Sequence, residues 1–149
     1  MAGKRILIID DDFATRELIE SILDEPEIYE IIKAEDAKDG FEKLELRPDL
    51  ILVDIMMPQL DGYEFIRRVR NIGPDRNVKM IVLTAKHQEQ DMLEAIKAGA
   101  NEFITKPFEV DFIKKRIDMN LFTPEQLPEE DQRTKYNGSL HYIKGRKSK

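Results

Sequence analysis

Ile6-Leu7-Ile8-Ile9-Asp10-Asp11-Asp12 is an apolar run ending in three consecutive carboxylates, and Leu50-Ile51-Leu52-Val53-Asp54 repeats the pattern with one. Short, continuous apolar runs bounded by polar residues read as strands buried on both faces. Two further runs, Met80–Leu83 and Phe103-Ile104, finish against Thr84 and Lys106. In a parallel sheet such ends lie along one edge. Carboxylates, a hydroxyl and an ammonium then come within reach of one another, an arrangement suited to a divalent cation and a phosphoryl group.

Between these runs the chain carries helical spacing. Leu18, Ile19, Ile22 and Leu23 recur at helical intervals, and Pro26 closes that segment. Tyr29–Ala34 reads as a strand. Asp36 is the N-cap of a helix with Ala37, Phe41 and Leu44 on its inner face. Asp61-Gly62-Tyr63-Glu64 resembles a capping box that opens a helix carrying Phe65, Ile66 and Val69. Met92, Leu93, Ile96 and a terminating Gly99 mark a fourth helix, and Val110–Asn120 a fifth. Five β-α units in strict alternation predict an α/β fold, a parallel sheet covered by helices on both faces. Right-handed crossovers bring every strand's carboxyl end to one side, where such folds place their sites.

Composition narrows the function. The chain has 149 residues, no cysteine and 41% hydrophobic residues, enough for one core. Thiol catalysis, disulfides and thiolate metal sites are excluded. No apolar stretch approaches the roughly 20 residues of a membrane span. Met-Ala-Gly-Lys-Arg runs straight into the first strand, so no signal peptide is expected and a cytoplasmic location is the default. The net charge of −6 is uneven: from Thr134 onward there are five basic residues and no acidic one. The body is therefore more acidic than the total suggests and a poor nucleic-acid binder. Thr123-Pro124-Glu125-Gln126 predicts a short capped helix. Asn137-Gly138, between strand-prone residues, is a hairpin signal, although an isolated hairpin must dock or stay frayed.

The chemistry is expected at four places. Asp11, Asp12 and Asp54 crowd together if their strands are neighbours, and like charges at close range need a cation. Magnesium, or manganese in its place, suits an all-oxygen site with few protein ligands. Asp10 is read as belonging to the strand end. Asp54 is the candidate nucleophile, a carboxylate able to attack a metal-polarised phosphorus. The Met56 carbonyl is a further metal ligand, and Pro58 and Gly62 shape the loop. Thr84 would donate to a phosphoryl oxygen. Lys106 would pair with Asp54 at rest and with the phosphoryl group afterwards. A cis bond between Lys106 and Pro107 would aim that side chain. Met56 and Lys86 flank the entrance and would tune how long an acyl phosphate lasts, by bulk and by positive charge.

Ile-Leu-Ile-Ile-Asp-Asp-Asp-Phe, Leu-Val-Asp-Ile-Met-Met-Pro-Gln-Leu-Asp-Gly, Ile-Val-Leu-Thr-Ala and Phe-Ile-Thr-Lys-Pro-Phe resemble the response-regulator receiver domain, the CheY-like family of two-component signalling. The likeness covers roughly residues 4–120. It implies a flavodoxin/CheY-like (βα)5 sheet of order 2-1-3-4-5, a receiver domain over residues 1–122, and an extension or linker over 123–149. It implies that Asp54 accepts a phosphoryl group from a histidine kinase or histidine phosphotransfer protein. Asp12, Asp54 and the Met56 carbonyl would ligate magnesium directly, and Asp11 through water. Thr84 and Lys106 would grip the phosphoryl group. Phe103 would turn inward when Thr84 moves, switching the surface built from the fourth helix, fifth strand and fifth helix. That surface would serve a downstream protein, an output domain beyond this chain, or a homodimer. The module would act on itself rather than as an enzyme on external substrates.

Three rival readings remain. Asp10 and Asp12 have the spacing of a haloacid-dehalogenase-like phosphohydrolase, but Ala14 stands where threonine or valine is needed. A flavodoxin-like cofactor protein would need a phosphate loop that Asp10-Asp11-Asp12 opposes. A pseudo-receiver would keep the fold as a binding module and ignore phosphate.

Overall fold

The computed structural model describes residues 3–72 and 77–127. In chain order they form β1 (Lys4–Ile9), α1 (Phe13–Ile22), β2 (Tyr29–Ala34), α2 (Ala37–Lys43), β3 (Leu50–Val53), α3 (Gly62–Asn71), β4 (Lys79–Thr84), α4 (Glu89–Ala98), β5 (Glu102–Thr105) and α5 (Val110–Leu121). Single 3-10 turns follow α2 at Leu44–Leu46 and α5 at Pro124–Gln126. All pairings are parallel, in the order β2-β1-β3-β4-β5. The Asn137-Gly138 hairpin signal lies outside the described residues. Among the described residues no helix is long and apolar enough to cross a membrane.

Side-chain alternation along the strands divides the core in two. Leu7, Ile9, Ile51, Val53, Met80, Val82 and Phe103 face one way and meet Phe65, Ile66 and Val69 of α3 and Met92 and Ala95 of α4. Ile6, Ile8, Leu50, Leu52, Ile81, Leu83 and Ile104 face the other way and meet Ile19 of α1 and Ile113 and Ile117 of α5. Both faces are covered, so the strands read as continuous apolar runs rather than alternating ones. Each fully buried Leu or Ile is worth about 1.5–3 kcal/mol, so slipping one strand by a residue would exchange its two faces' partners and forfeit this packing.

Helix starts follow the aspartates. Asp36 accepts from the Asp39 N–H at 2.8 Å and Asp61 from the Glu64 N–H at 2.9 Å, as N-caps do. α4 opens with a reciprocal box between Gln88 and Asp91 and ends on Gly99, whose φ of 124° disfavours side chains. Periodicity alone misreads some positions. Leu18 and Leu93 are exposed, because in α1 the inward arc runs through Thr15, Ile19 and Ile22. α2 stops at Lys43, and Leu44 packs from a 3-10 turn instead.

Gly62 locks the loop after β3 to the sheet. A Cβ there would lie 2.5 Å from Ile55 Cα and 2.7 Å from the Asp54 carbonyl oxygen. Both obstacles are backbone, so Gly62→Ala is expected to displace the loop at a cost of about 1–3 kcal/mol. Urea unfolding checks this: the midpoint should fall with its slope unchanged.

Candidate metal and phosphoryl centre

Strand register builds the site. Ile9 lies opposite Val53 on neighbouring strands. The next residues, Asp10 and Asp54, therefore leave the sheet side by side. Each is still tied to it: the Asp10 N–H donates to Ala34 O at 3.1 Å and the Asp54 N–H to Ile9 O at 3.0 Å. Asp10, Asp11 and Asp54 each offer a carboxylate oxygen, and these oxygens lie within 4.8 Å of one another. Asp10 and Asp54 are buried and Asp11 is exposed.

Lys106 compensates them. It stands one residue beyond β5, just before a cis peptide to Pro107, and its N–H extends the ladder to Thr84 O at 2.8 Å. Its Nζ donates to Asp10 Oδ2 at 2.8 Å and Asp54 Oδ2 at 3.1 Å. The other oxygens take backbone donors: Asp10 Oδ1 accepts from the Asp12 N–H and Asp54 Oδ1 from the Met56 N–H, both at 2.9 Å. Burial pushes the Asp10 carboxyl above its ordinary value, although its bond to Lys106 pulls the other way. Burial disfavours the Lys106 ammonium, but the hydrogen bonds and charges of Asp10 and Asp54 outweigh it and hold its pKa above the ordinary lysine value.

The structure corrects one position. The sequence reading put Asp12 among the metal ligands and left Asp10 to the strand; the geometry exchanges them. By Asp12 the chain has turned into α1. Asp12 is its N-cap, with Oδ1 accepting from the Ala14 N–H at 3.3 Å and Oδ2 from the Thr15 hydroxyl at 2.6 Å. That Thr15 bond is the main reason its carboxyl sits below the ordinary range. The signal for Asp10 was available: Asp10 and Asp54 are each the first residue after a four-residue apolar run.

The other expected residues are distributed around this centre. Thr84 ends β4, fully buried, and its Oγ1 accepts from the Lys86 N–H at 3.3 Å. Met56 turns its side chain to solvent. The Lys86 ammonium lies 3.4 Å from Asp91 Oδ1 and 5.8 Å from the centre of the Tyr63 ring, so it is engaged with α3 and α4. Phe103 is 2% exposed, its ring already packed in the core.

An all-oxygen set suits a hard cation. Oxygens on one magnesium, at about 2.0–2.1 Å each, stand at most about 4.2 Å apart. Neighbouring oxygens in that octahedral shell stand closer still, about 2.9 Å, so the trio would draw together by carboxylate rotation around the ion, and its all-oxygen donor set fits.

A doubly wound sheet with paired aspartates, threonine and lysine at its carboxyl edge defines an α/β domain with an acidic centre suited to a cation. The family model of the response regulator receiver domain matches residues 6–118, and the chain belongs to that family. It is 40% identical over 109 residues to the chemotaxis protein CheY of Thermotoga maritima, covering 72% of this chain and 88% of that one. It is 36% identical over 126 residues to the DNA-binding dual master transcriptional regulator RpaA of Synechocystis, covering 84% of this chain and 52% of that protein. The chain thus spans about half the length of the transcriptional regulator it matches. Among solved structures, chemotaxis protein CheY4 of Vibrio cholerae superposes with a TM-score of 0.74 at 26% identity, over 80% of this chain and 100% of that one. The match favours neither the phosphohydrolase nor the pseudo-receiver reading.

Asp10 yields a pH prediction. Its folded pKa is raised, so its ionised form opposes folding. That cost is absent below its unfolded pKa and fully present once pH has risen past the folded one. Metal-free Asp10→Asn is therefore expected to be more stable than the parent at pH 7. The gain should shrink as pH falls through the raised Asp10 value, read as converging urea midpoints. Equal midpoints at pH 7 would contradict it.

Proposed function

We propose that Asp54 is the phospho-acceptor of this receiver domain. The observation that carries the reading is the Lys106 ammonium shared between buried Asp10 and Asp54, beside exposed Asp11. Asp10, Asp11 and Asp54 would hold a magnesium or manganese ion, which when bound neutralises charge on the phosphoryl oxygens. The Met56 carbonyl is a further protein oxygen available to it.

The donor is a histidine kinase or histidine phosphotransfer protein. An Asp54 carboxylate oxygen bonds to phosphorus as the phosphorus–nitrogen bond of the donor phosphohistidine breaks; the bonding pair stays on the imidazole nitrogen, which takes its proton from water. Phosphoryl transfer rests mainly on positioning and charge neutralisation. The Met56 N–H orients the carboxylate, while Lys106 moves its hydrogen bond from Asp54 to a phosphoryl oxygen. Thr84 supplies a hydroxyl donor from the neighbouring strand. Exposed apolar side chains at the first residues of α1 and α5, Phe13 and Val110, and Met56 on the loop after β3 give a donor protein something to grip.

Modification of Asp54 switches α4, β5 and α5. That surface serves a downstream protein, an output domain such as the longer relatives' remaining length would hold, or a second copy of the chain. The setting is the cytoplasm.

Incubation with acetyl phosphate and magnesium, followed by mass mapping, tests the reading. Label is expected on Asp54 only, and none without the metal. Asp54→Ala and Asp11→Ala should abolish it, whereas Asp12→Ala should keep it while unfolding at lower urea. Label retained in Asp54→Ala would overturn the assignment.

A further inference from the structure

α4 is held at its two ends by different chemistry. At its C-terminal end, Arg70 of α3 donates through Nε to Gly99 O at 2.9 Å, through Nη1 to Val78 O at 2.6 Å and through Nη2 to Asn101 Oδ1 at 3.0 Å. Asn101 Oδ1 also accepts from the Met80 N–H at 2.8 Å, so this clamp is knitted into β4. Charge-assisted bonds to backbone carbonyls are short and strong.

The N-terminal end is held more loosely. Asp91 accepts from the Gln88 N–H at 3.2 Å, and its carbonyl accepts from the Tyr63 hydroxyl at 3.3 Å. The third tie is Lys86, whose ammonium reaches Asp91 Oδ1 at 3.4 Å over the Tyr63 ring, with a side chain 41% exposed. Asp91 is buried, but the Lys86 arm stands partly in solvent, and a contact of this length exchanges readily.

Lys86 is also tied to the phosphoryl centre. Its backbone N–H rests on the Thr84 hydroxyl. Val53 lies opposite Val82, so Lys86 leaves β4 on the loop beside Asp54. Its long stem lets the ammonium swing without a large backbone change.

We propose that Lys86 is a positioning residue with two alternative partners. In the unmodified protein its ammonium secures the first turn of α4 through Asp91 and the Tyr63 ring. Once Asp54 carries a phosphoryl group, the ammonium moves to that new negative charge. The first turn of α4 is then released, while Arg70 keeps the last turn in place. The inference rests on Asp54 being the acceptor, but its first half holds for the unmodified protein and is tested separately.

Amide hydrogen exchange of residues 89–93 and 97–101 reads both halves, with and without acetyl phosphate and magnesium. In the parent, modification should speed exchange at 89–93 by about threefold, the scale of an ion pair with one exposed arm, and leave 97–101 unchanged. Unmodified Lys86→Gln should already exchange at the faster rate, and its modification should add nothing. Lys86→Arg should restore the parent pattern, which loss of a merely structural contact would not predict. Unmodified Lys86→Gln exchanging like the parent would overturn the proposal. So would a parent whose Asp54 is modified, by mass, without faster exchange at 89–93. Failure of Asp54 to take the group would overturn the acceptor reading and the second half with it, leaving the comparison of unmodified proteins to decide the first.

Discussion

One ammonium sets the terms for the carboxyl edge of this sheet. Parallel pairing forces Asp10 and Asp54 to leave neighbouring strands together, and Asp11 follows directly. At an effective dielectric of about 20, two unit charges about 4 Å apart interact by about 4 kcal/mol. A buried pair of carboxylates is therefore a substantial fraction of a typical domain's stability of about 5–15 kcal/mol. Lys106 meets both at hydrogen-bond distance, and it can do so because β5 pairs with β4 and its N–H takes one more ladder bond to Thr84 O. A lysine is compact and mobile at its tip, so it balances the site without sealing it.

Much of this was legible in the primary structure, for a definite reason. A strand buried on both faces is written as an uninterrupted apolar run, so β3, Leu50–Val53, is legible at its observed bounds; β2, Tyr29–Ala34, is legible too, although at the sheet's edge its apolar residues are interrupted by exposed Glu30 and half-buried Lys33. Asp36 and Asp61 announced their helices because an N-cap needs an acceptor just outside the first turn. Runs of like residues were harder. In Asp10-Asp11-Asp12 the chain changes from strand to helix within three identical side chains, and the end of the apolar run, fixed in the sheet by the pairing of Ile9 with Val53, decides which carboxylate stays at the edge. Leu18 and Leu93 failed for a related reason: adjacent apolar residues on a helix diverge by about 100°, and composition does not say which one faces inward.

The link from this edge to the protein's surface runs through β4 and α4. Thr84 is fully buried, with the Lys86 amide on its hydroxyl and the Lys106 amide on its carbonyl. Phe103 lies in the core between the sheet and α4. Its ring already lies inside the core, 2% exposed. In the proposed switch, motion that starts from this arrangement would begin at α4 and the loop before it. The contrast between the Arg70 clamp and the looser ties at Asp91 gives that motion a fixed end and a free one.

The central claim is that Lys106 and a divalent cation compete for the same two buried carboxylates, Asp10 and Asp54. Calorimetric titration of magnesium into the parent and into Lys106→Met, with folding of both verified by circular dichroism, tests it most directly. Loss of the competing ammonium is expected to tighten magnesium binding by at least about fivefold, a modest part of the Coulomb energy available at these separations. Equal or weaker binding by Lys106→Met would contradict the account.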